Sequence, residues 1–197
     1  MRKVVVVNNL SLDGVMQGPA GKDEDTRGGF QLGGWSLPYN DDVKARVMGQ
    51  GMAKKSAMLF GRRTYEHMYK AWHGRTDGNP FTPVLDNAEK FVTSRTLQGP
   101  LAWQNSTLLA GDAADSVAAL KNEDGPDLVI LGSGELIRSL MTRKLIDEIQ
   151  LIIHPLVLGS GRRMFADEST LTKFALTNSV PTTTGAIIAT YSQANAS

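Results

Sequence analysis

Apolar residues come in short runs separated by polar and glycine-rich stretches. The first run, residues 4–10 (VVVVNNL), is β-branched and bounded by polar residues, which predicts a buried strand. From Gly14 to Gly34 glycine, proline and charge dominate, predicting a long loop of the kind that is usually functional or mobile. Asn40 or Asp41 can then cap a helix running to about Lys54, with Val43, Val47 and Met48 on one face. Residues 56–60 (SAMLF) read as a strand that stops at Gly61, 63–71 as a helix, and the Gly/Asn/Pro-rich 74–83 as a loop. Short strands are predicted at 90–93 and 107–110, and a helix opened by an aspartate over 112–122. A strand at 127–131 leads into a helix at 134–143. The last third holds β-rich segments at 147–154, 174–179 and 186–191, before a polar tail at 193–197. Strands alternating with helices imply a largely parallel sheet covered on its faces, and the closing strands imply an antiparallel edge. Neither repeats nor linkers interrupt the pattern, so a single domain over 1–197 is expected.

Charge narrows the functional classes. The chain has 197 residues with 21 basic and 20 acidic side chains, a formal net charge of +1, which argues against a broad basic face for nucleic acid. It has no cysteine, which removes disulfides, thiolate zinc sites and a cysteine nucleophile, and fits a reducing compartment. The apolar run after Arg2 and Lys3 is four valines long, too short for the apolar stretch of a secretion signal. No stretch approaches the roughly 18–20 apolar residues of a membrane span. The expectation is a soluble, cytoplasmic protein.

Chemistry gathers where predicted strands turn into helices. Residues 128–140 (LVILGSGELIRSL) close an apolar run on two glycines around Ser133 and continue with helical spacing. This is not a G-x-G-x-x-G, since Ile137 occupies the third glycine position. A tight turn explains it as well as a phosphate cradle does, although the first amides of such a helix attract anions. Phe60-Gly61-Arg62-Arg63-Thr64 and Val92-Thr93-Ser94-Arg95 place arginines and hydroxyls at two more strand ends. Arginine forks match phosphate oxygens, and ligands of open α/β sheets sit beyond the carboxyl ends of the strands. Three anion-friendly ends together point to a phosphate-bearing ligand. Among the acids, Asp13 sits in a Ser-Leu-Asp-Gly turn and Asp41 at a helix start. Each has a plain structural reading and a catalytic one, as turn residue or N-cap or as a group that steers a proton near substrate. His67, His73 and His154 show no metal-ligand spacing, so no metal is expected. No G-x-S-x-G elbow and no Walker lysine occur. Gly159-Ser160-Gly161 reads as a bend, with Arg162 and Arg163 as anion contacts before an acidic turn.

The ordered set SLDG, GGW-x-x-P, FGRRTYE, VTSRTL, LGSG and LIDEIQLIIHPLVLGSGRRMF, spread over roughly residues 2–192, resembles the dihydrofolate reductase-like superfamily. It is most similar to the branch containing the C-terminal reductase domain of the bifunctional riboflavin-biosynthesis deaminase/reductase and its stand-alone bacterial relatives. The resemblance implies a three-layer α/β/α sandwich. Its mixed, mostly parallel sheet would have eight to nine strands and an antiparallel C-terminal edge. It also implies NADPH as cofactor. Gly61, Arg62, Arg63 and Thr64 would line its adenosine side, and Ser94 and Arg95 would hold the 2′-phosphate. Gly132, Ser133, Gly134 and Glu135 would hold the pyrophosphate, and Asn8 and Asn9 would run beside the nicotinamide. The loop 15–34 would be a mobile lid. The acid expected two residues after W-x-x-P is here Asn40, followed by Asp41. Either the helix register is shifted by one and Asp41 takes the role, or the substrate is not a pterin. Similarity to the stand-alone relatives, with an acid pair at Asp41 and Asp42, makes Asp41 the first catalytic candidate and Asp13 the second. Trp72-His73 stands where relatives carry Trp-Pro. The implied activity is hydride transfer to a C=N or C=O of a small heterocycle, either the ribosylamino-pyrimidine phosphate of riboflavin synthesis or a pterin-like ring. The implied assembly is a homodimer. The alternative is a dinucleotide-binding module on the same fold without catalysis.

Overall fold

The computed structural model describes residues 1–165 and 171–194. Eight strands form one sheet: β1 (Val4–Ser11), β2 (Ser56–Gly61), β3 (Lys90–Ser94), β4 (Ser106–Ala110), β5 (Asp127–Leu131), β6 (Glu148–His154), β7 (Phe174–Pro181) and β8 (Ile187–Gln193). Their order is β4-β3-β2-β5-β1-β6-β8-β7. The first six run parallel, while β8 pairs antiparallel with β6, and β7 antiparallel with β8. The helices are α1 (Asp42–Met52), α2 (Arg62–Trp72), α3 (Phe81–Asn87), α4 (Ala113–Lys121) and α5 (Gly134–Thr142).

Period-two alternation explains the layers. Along β1, Val4, Val6 and Leu10 join α4 and α5 in one core with Val117, Leu120, Ile137 and Leu140. Val7 faces the opposite way, against Val47 and Met48 of α1. On that same face α2 and α3 cover the outer strands through Phe60, Tyr65, Leu85, Val92 and Trp103. The result is the expected three-layer sandwich, with eight strands and the antiparallel edge at the C-terminal side. Parallel strands buried on both faces have to be nearly continuous in apolar residues, and Ala57–Phe60 are all buried.

The main departure is α3. Residues 74–83 were expected to be loop, yet Phe81 opens a helix through Asn87. Asn79 Oδ1 accepts from the Phe81 amide and Leu85 packs under Trp103, so tertiary burial makes the helix where local signals are poor. The expected tail begins too early, since β8 runs through Gln193 and the Ala194 amide donates to Lys173. The acidic turn after Phe165 and the final residues 195–197 lie outside the described residues.

The segment 14–34 lacks regular structure beyond a short 3-10 turn at Arg27–Gly29 but is pinned at its base. Val15 bridges Arg163, and Gln17 donates to the carbonyls of Asp25 and Arg27 while its Oε1 accepts from the Arg162 amide. Trp35 Nε1 donates to Gln17 O at 2.7 Å. Gly33 is packed so closely that a Cβ there would lie 2.2 Å from Lys22 O, which only glycine tolerates. Only the stretch 20–32 presents a mainly exposed tip.

Candidate functional site

The carboxyl ends of the six parallel strands, β4, β3, β2, β5, β1 and β6, open on the same edge of the sheet. At its centre the ends of β2 and β5 are tied by one bond, in which Gly61 N–H donates to Ser133 Oγ at 3.0 Å. Two consecutive residues, Gly132 (φ 73°) and Ser133 (φ 62°), take left-handed conformations there and swing the chain from strand to helix. For Ser133 this is an unusual state, and the hydrogen bond to Gly61 holds it.

The consequence lies in the helix starts. Asp41 caps α1 by accepting from Lys44 N, and Asp112 caps α4 by accepting from Ala114 N and Asp115 N. Neither α2 nor α5, which begin side by side at Gly61 and Ser133, has a side-chain cap. Ser133, in the capping position, gives its oxygen to the neighbouring strand. First-turn amides without an internal partner, with the helix dipole behind them, make a site for an anion. Around these starts Thr64 lies against Gly132, and a Cβ on Gly132 would sit 3.7 Å from Thr64 Cγ2. Gly134 is overlain by Met16, whose sulfur would be 2.8 Å from an added Cβ, and Asn8 Nδ2 donates to the same sulfur at 3.5 Å. Glu135 stands between Arg63 (3.7 Å) and Arg162 (3.6 Å).

Asn8, Gly61, Arg63, Thr64, Gly132, Ser133, Gly134 and Glu135 therefore converge. Arg62 turns along its own helix to Glu66 at 3.4 Å. Ser94 and Arg95 lie one strand further out. The Ser94 hydroxyl accepts from the Thr96 and Leu97 amides, and Arg95 reaches Asp112 at 3.2 Å.

The two acids are both engaged. Asp13 is bonded by the Ser11 hydroxyl and by the Leu158 and Gly159 amides, which hold its carboxyl down at about 2. Arg163 lies 3.9 Å from the same carboxylate. Asp41 accepts from the Thr183 hydroxyl and amide, both at 2.6 Å, besides the Lys44 and Thr184 amides, and is likewise held at about 2. It thus fastens α1 to the turn between β7 and β8. Both acids are ionised near neutrality, and their oxygens already accept several hydrogen bonds. Among the described residues no cluster of three or more His, Asp or Glu side chains could hold a metal.

One polar feature on this edge was not anticipated: His154, at the end of β6, is fully buried and pairs with Asn9 across 145 residues. No local pattern encodes such a pair. The alternation of β1, which puts Asn9 on the α1 face, was the one signal available.

This sheet order, with helices on both faces, defines a dihydrofolate reductase-like fold. The model of the RibD C-terminal domain matches residues 2–188, and the chain belongs to that family. A Bacillus subtilis (strain 168) relative, the uncharacterized protein YwjB, is 32% identical over 122 residues, 60% of this chain and 63% of YwjB. The chain thus aligns with less than two thirds of that relative's length. A crystal structure of a putative riboflavin biosynthesis protein from Shewanella sp. PV-4 superposes with a TM-score of 0.69 at 21% identity, covering 98% of this chain and 99% of that one. Dihydrofolate reductase from Enterococcus faecalis, complexed with NADP(H) and RAB-propyl, gives a TM-score of 0.61 at 14% identity, covering 98% and 97%. Among the described residues no helix is long and apolar enough to cross a membrane.

Proposed function

We propose that this protein is an NADPH-dependent reductase acting on a C=N or C=O bond of a small heterocycle. The observation that supports it is the pair of uncapped helix starts locked together by Gly61 and Ser133, with Arg63 beside them. That arrangement suits a pyrophosphate: the uncapped starts of two helices lie side by side, and Arg63, paired with Glu135 at 3.7 Å, stands next to them. Family membership and the NADP(H) complex of the enterococcal neighbour agree with it. Bound in this crevice, NADPH supplies a hydride from C4 of its nicotinamide.

In this reading Gly61, Arg62, Arg63 and Thr64 contact the adenosine side, and Gly132, Ser133, Gly134 and Glu135 the pyrophosphate. Ser94 and Arg95 take the 2′-phosphate, for which Arg95 exchanges Asp112. Asn8 adjoins the nicotinamide. The acids order the substrate side of the cleft: Asp41 sets α1 against the β7–β8 turn, and Asp13 sets the turn at Leu158 and Gly159. Asp41, or Asp13, orients the substrate or relays to it the proton that balances the hydride, drawn from water. The substrate is a pyrimidine ribosylamino phosphate or a pterin-like ring. The exposed edge strand β7 offers a pairing surface for a homodimer, which light scattering would test.

The engagement of both acids favours one second reading, a dinucleotide-binding module without turnover. Absorbance at 340 nm decides between them: the reductase consumes NADPH with at least one pyrimidine or pterin substrate. A folded sample that binds NADPH yet leaves absorbance unchanged across the panel supports the module.

A further inference from the structure

The face of β1 and β6 turned toward α1 holds a polar pair, Asn9 and His154, apart from the junction of α2 and α5. His154 is 0% exposed and lies edge-on to Trp35 and Tyr39, with ring centroids 5.3 Å and 5.4 Å away. Its Nε2 is 2.9 Å from Asn9 Oδ1. A carbonyl oxygen only accepts, so the ring carries its hydrogen on Nε2 and donates it. Burial, and then the charge of Lys44, push His154 down to about 4, which keeps the ring neutral. Nδ1 is then an acceptor, buried and without a hydrogen-bond partner among the described residues.

This bond also fixes Asn9. With Oδ1 held by the histidine, the NH2 end of the amide points away from it, and no residue among those described accepts from it. Asn9 is half-buried and stands near the carboxyl end of β1, on the face where α1 and Lys44 cover the sheet. Lys44 brings a second donor to this face, its Nζ resting on Asn40 Oδ1 at 2.9 Å. The donors on this face, the Asn9 NH2 and the Lys44 ammonium, call for an acceptor on the ligand.

We infer that Asn9 is a substrate-binding residue whose amide NH2 donates to a carbonyl oxygen of the ring being reduced, and that His154 is the positioning residue that sets the direction of that amide. This deepens the reductase reading and rests on it for the identity of the second ligand. It predicts preference for a ring edge that presents carbonyl oxygens over one that presents amino groups. A site built around a hydrogen bond rejects the analogue that cannot make it.

The probes are a 2,4-dioxopyrimidine and a 2,4-diaminopyrimidine, each titrated by tryptophan fluorescence with and without saturating NADPH. The wild type should bind the dioxo ring roughly tenfold more tightly. Asn9→Asp, which replaces the NH2 by an acceptor, should abolish or invert that preference. His154→Leu should reduce it several-fold, while His154→Gln, which keeps an N–H donor, restores most of it; a purely structural histidine would not show that rescue. Thermal melts identify any variant that fails to fold, and Asn9→Leu, of similar volume, then replaces Asn9→Asp with loss of preference expected. Equal or tighter binding of the diamino ring by the wild type overturns the inference, as does an unchanged preference in Asn9→Asp or the binding of neither ring. Failure of NADPH alone to bind removes the reductase reading instead, and the titration without NADPH still judges Asn9.

Discussion

Replacing Ser133 tests the junction on which the cofactor reading depends, because one residue carries two opposing terms. Its hydroxyl accepts from the Gly61 amide at 3.0 Å in a partly buried setting, a bond worth about 1 kcal/mol. Its backbone sits at φ 62°, ψ 53°, a left-handed conformation costing a residue with a Cβ about 1 kcal/mol relative to glycine. Ser133→Ala loses the bond and keeps the strain, so it should destabilise the protein by about 1 kcal/mol, lowering Tm by roughly 2–4 °C for a chain of this size. Ser133→Gly loses the bond and relieves the strain, so the terms nearly cancel and stability should stay within about 0.5 kcal/mol of the wild type. Both variants free the start of α5 from the end of β2, so both should weaken NADPH binding, by roughly fivefold if the whole bond energy acts on the bound state. Urea melts give the first comparison and fluorescence titration the second. Equal stability of the two variants, or unchanged affinity in both, would refute the reasoning.

Other consequences follow from single contacts. Asp41→Asn should lower Tm at pH 7 by removing charge-assisted bonds to Lys44, Thr183 and Thr184. The folded carboxyl sits at about 2 against an ordinary value of 3.8, so its contribution is complete above pH 3.8 and fades as pH falls through about 2. Melts of variant and wild type should accordingly draw together toward the acid end; a gap undiminished at pH 2 contradicts this. Arg95→Ala should weaken NADPH binding by roughly tenfold at low salt while leaving NADH unaffected, and an equal loss for both would dismiss the 2′-phosphate role. Lys90 is fully buried, donates to the carbonyls of Asp86, Ala88 and Gln104, and lies 4.5 Å from the Trp103 ring centre. Lys90→Met strands three acceptors and should destabilise by about 2–4 kcal/mol, measured by urea unfolding, whereas a loss below about 1 kcal/mol would mean the carbonyls find water.

The strands and most helices were legible because their signals are local. β2 and β5 are short apolar runs closed by glycine, β1 opens on four valines, and α4 opens on Asp112, which caps it as its sequence suggests. The short α3 was hidden for the converse reason: it begins after Pro80, contains Pro83, and is stabilised by burial of Leu85 and Thr82. In the site, the glycines, arginines and hydroxyls at three strand ends marked this edge of the sheet, but not that Ser133 would bond to Gly61 seventy-two residues away. The acids show the limit most clearly. Asp41 reads equally as an N-cap or a catalytic acid, and only the fold brings Thr183 and Thr184 onto its carboxylate. Asn9 and His154 carried no sequence signal as a pair, because only the pairing of β1 with β6 makes them neighbours.

Backbone amide chemical shifts, followed by NMR as NADPH is added, test the central claim most directly. Saturable changes are expected, largest at Arg62–Thr64 and Gly132–Leu136, with the amides of the capped helix start at Asp42–Lys44 shifting far less. Shifts absent from both uncapped starts, or strongest somewhere else on the molecule, would contradict it.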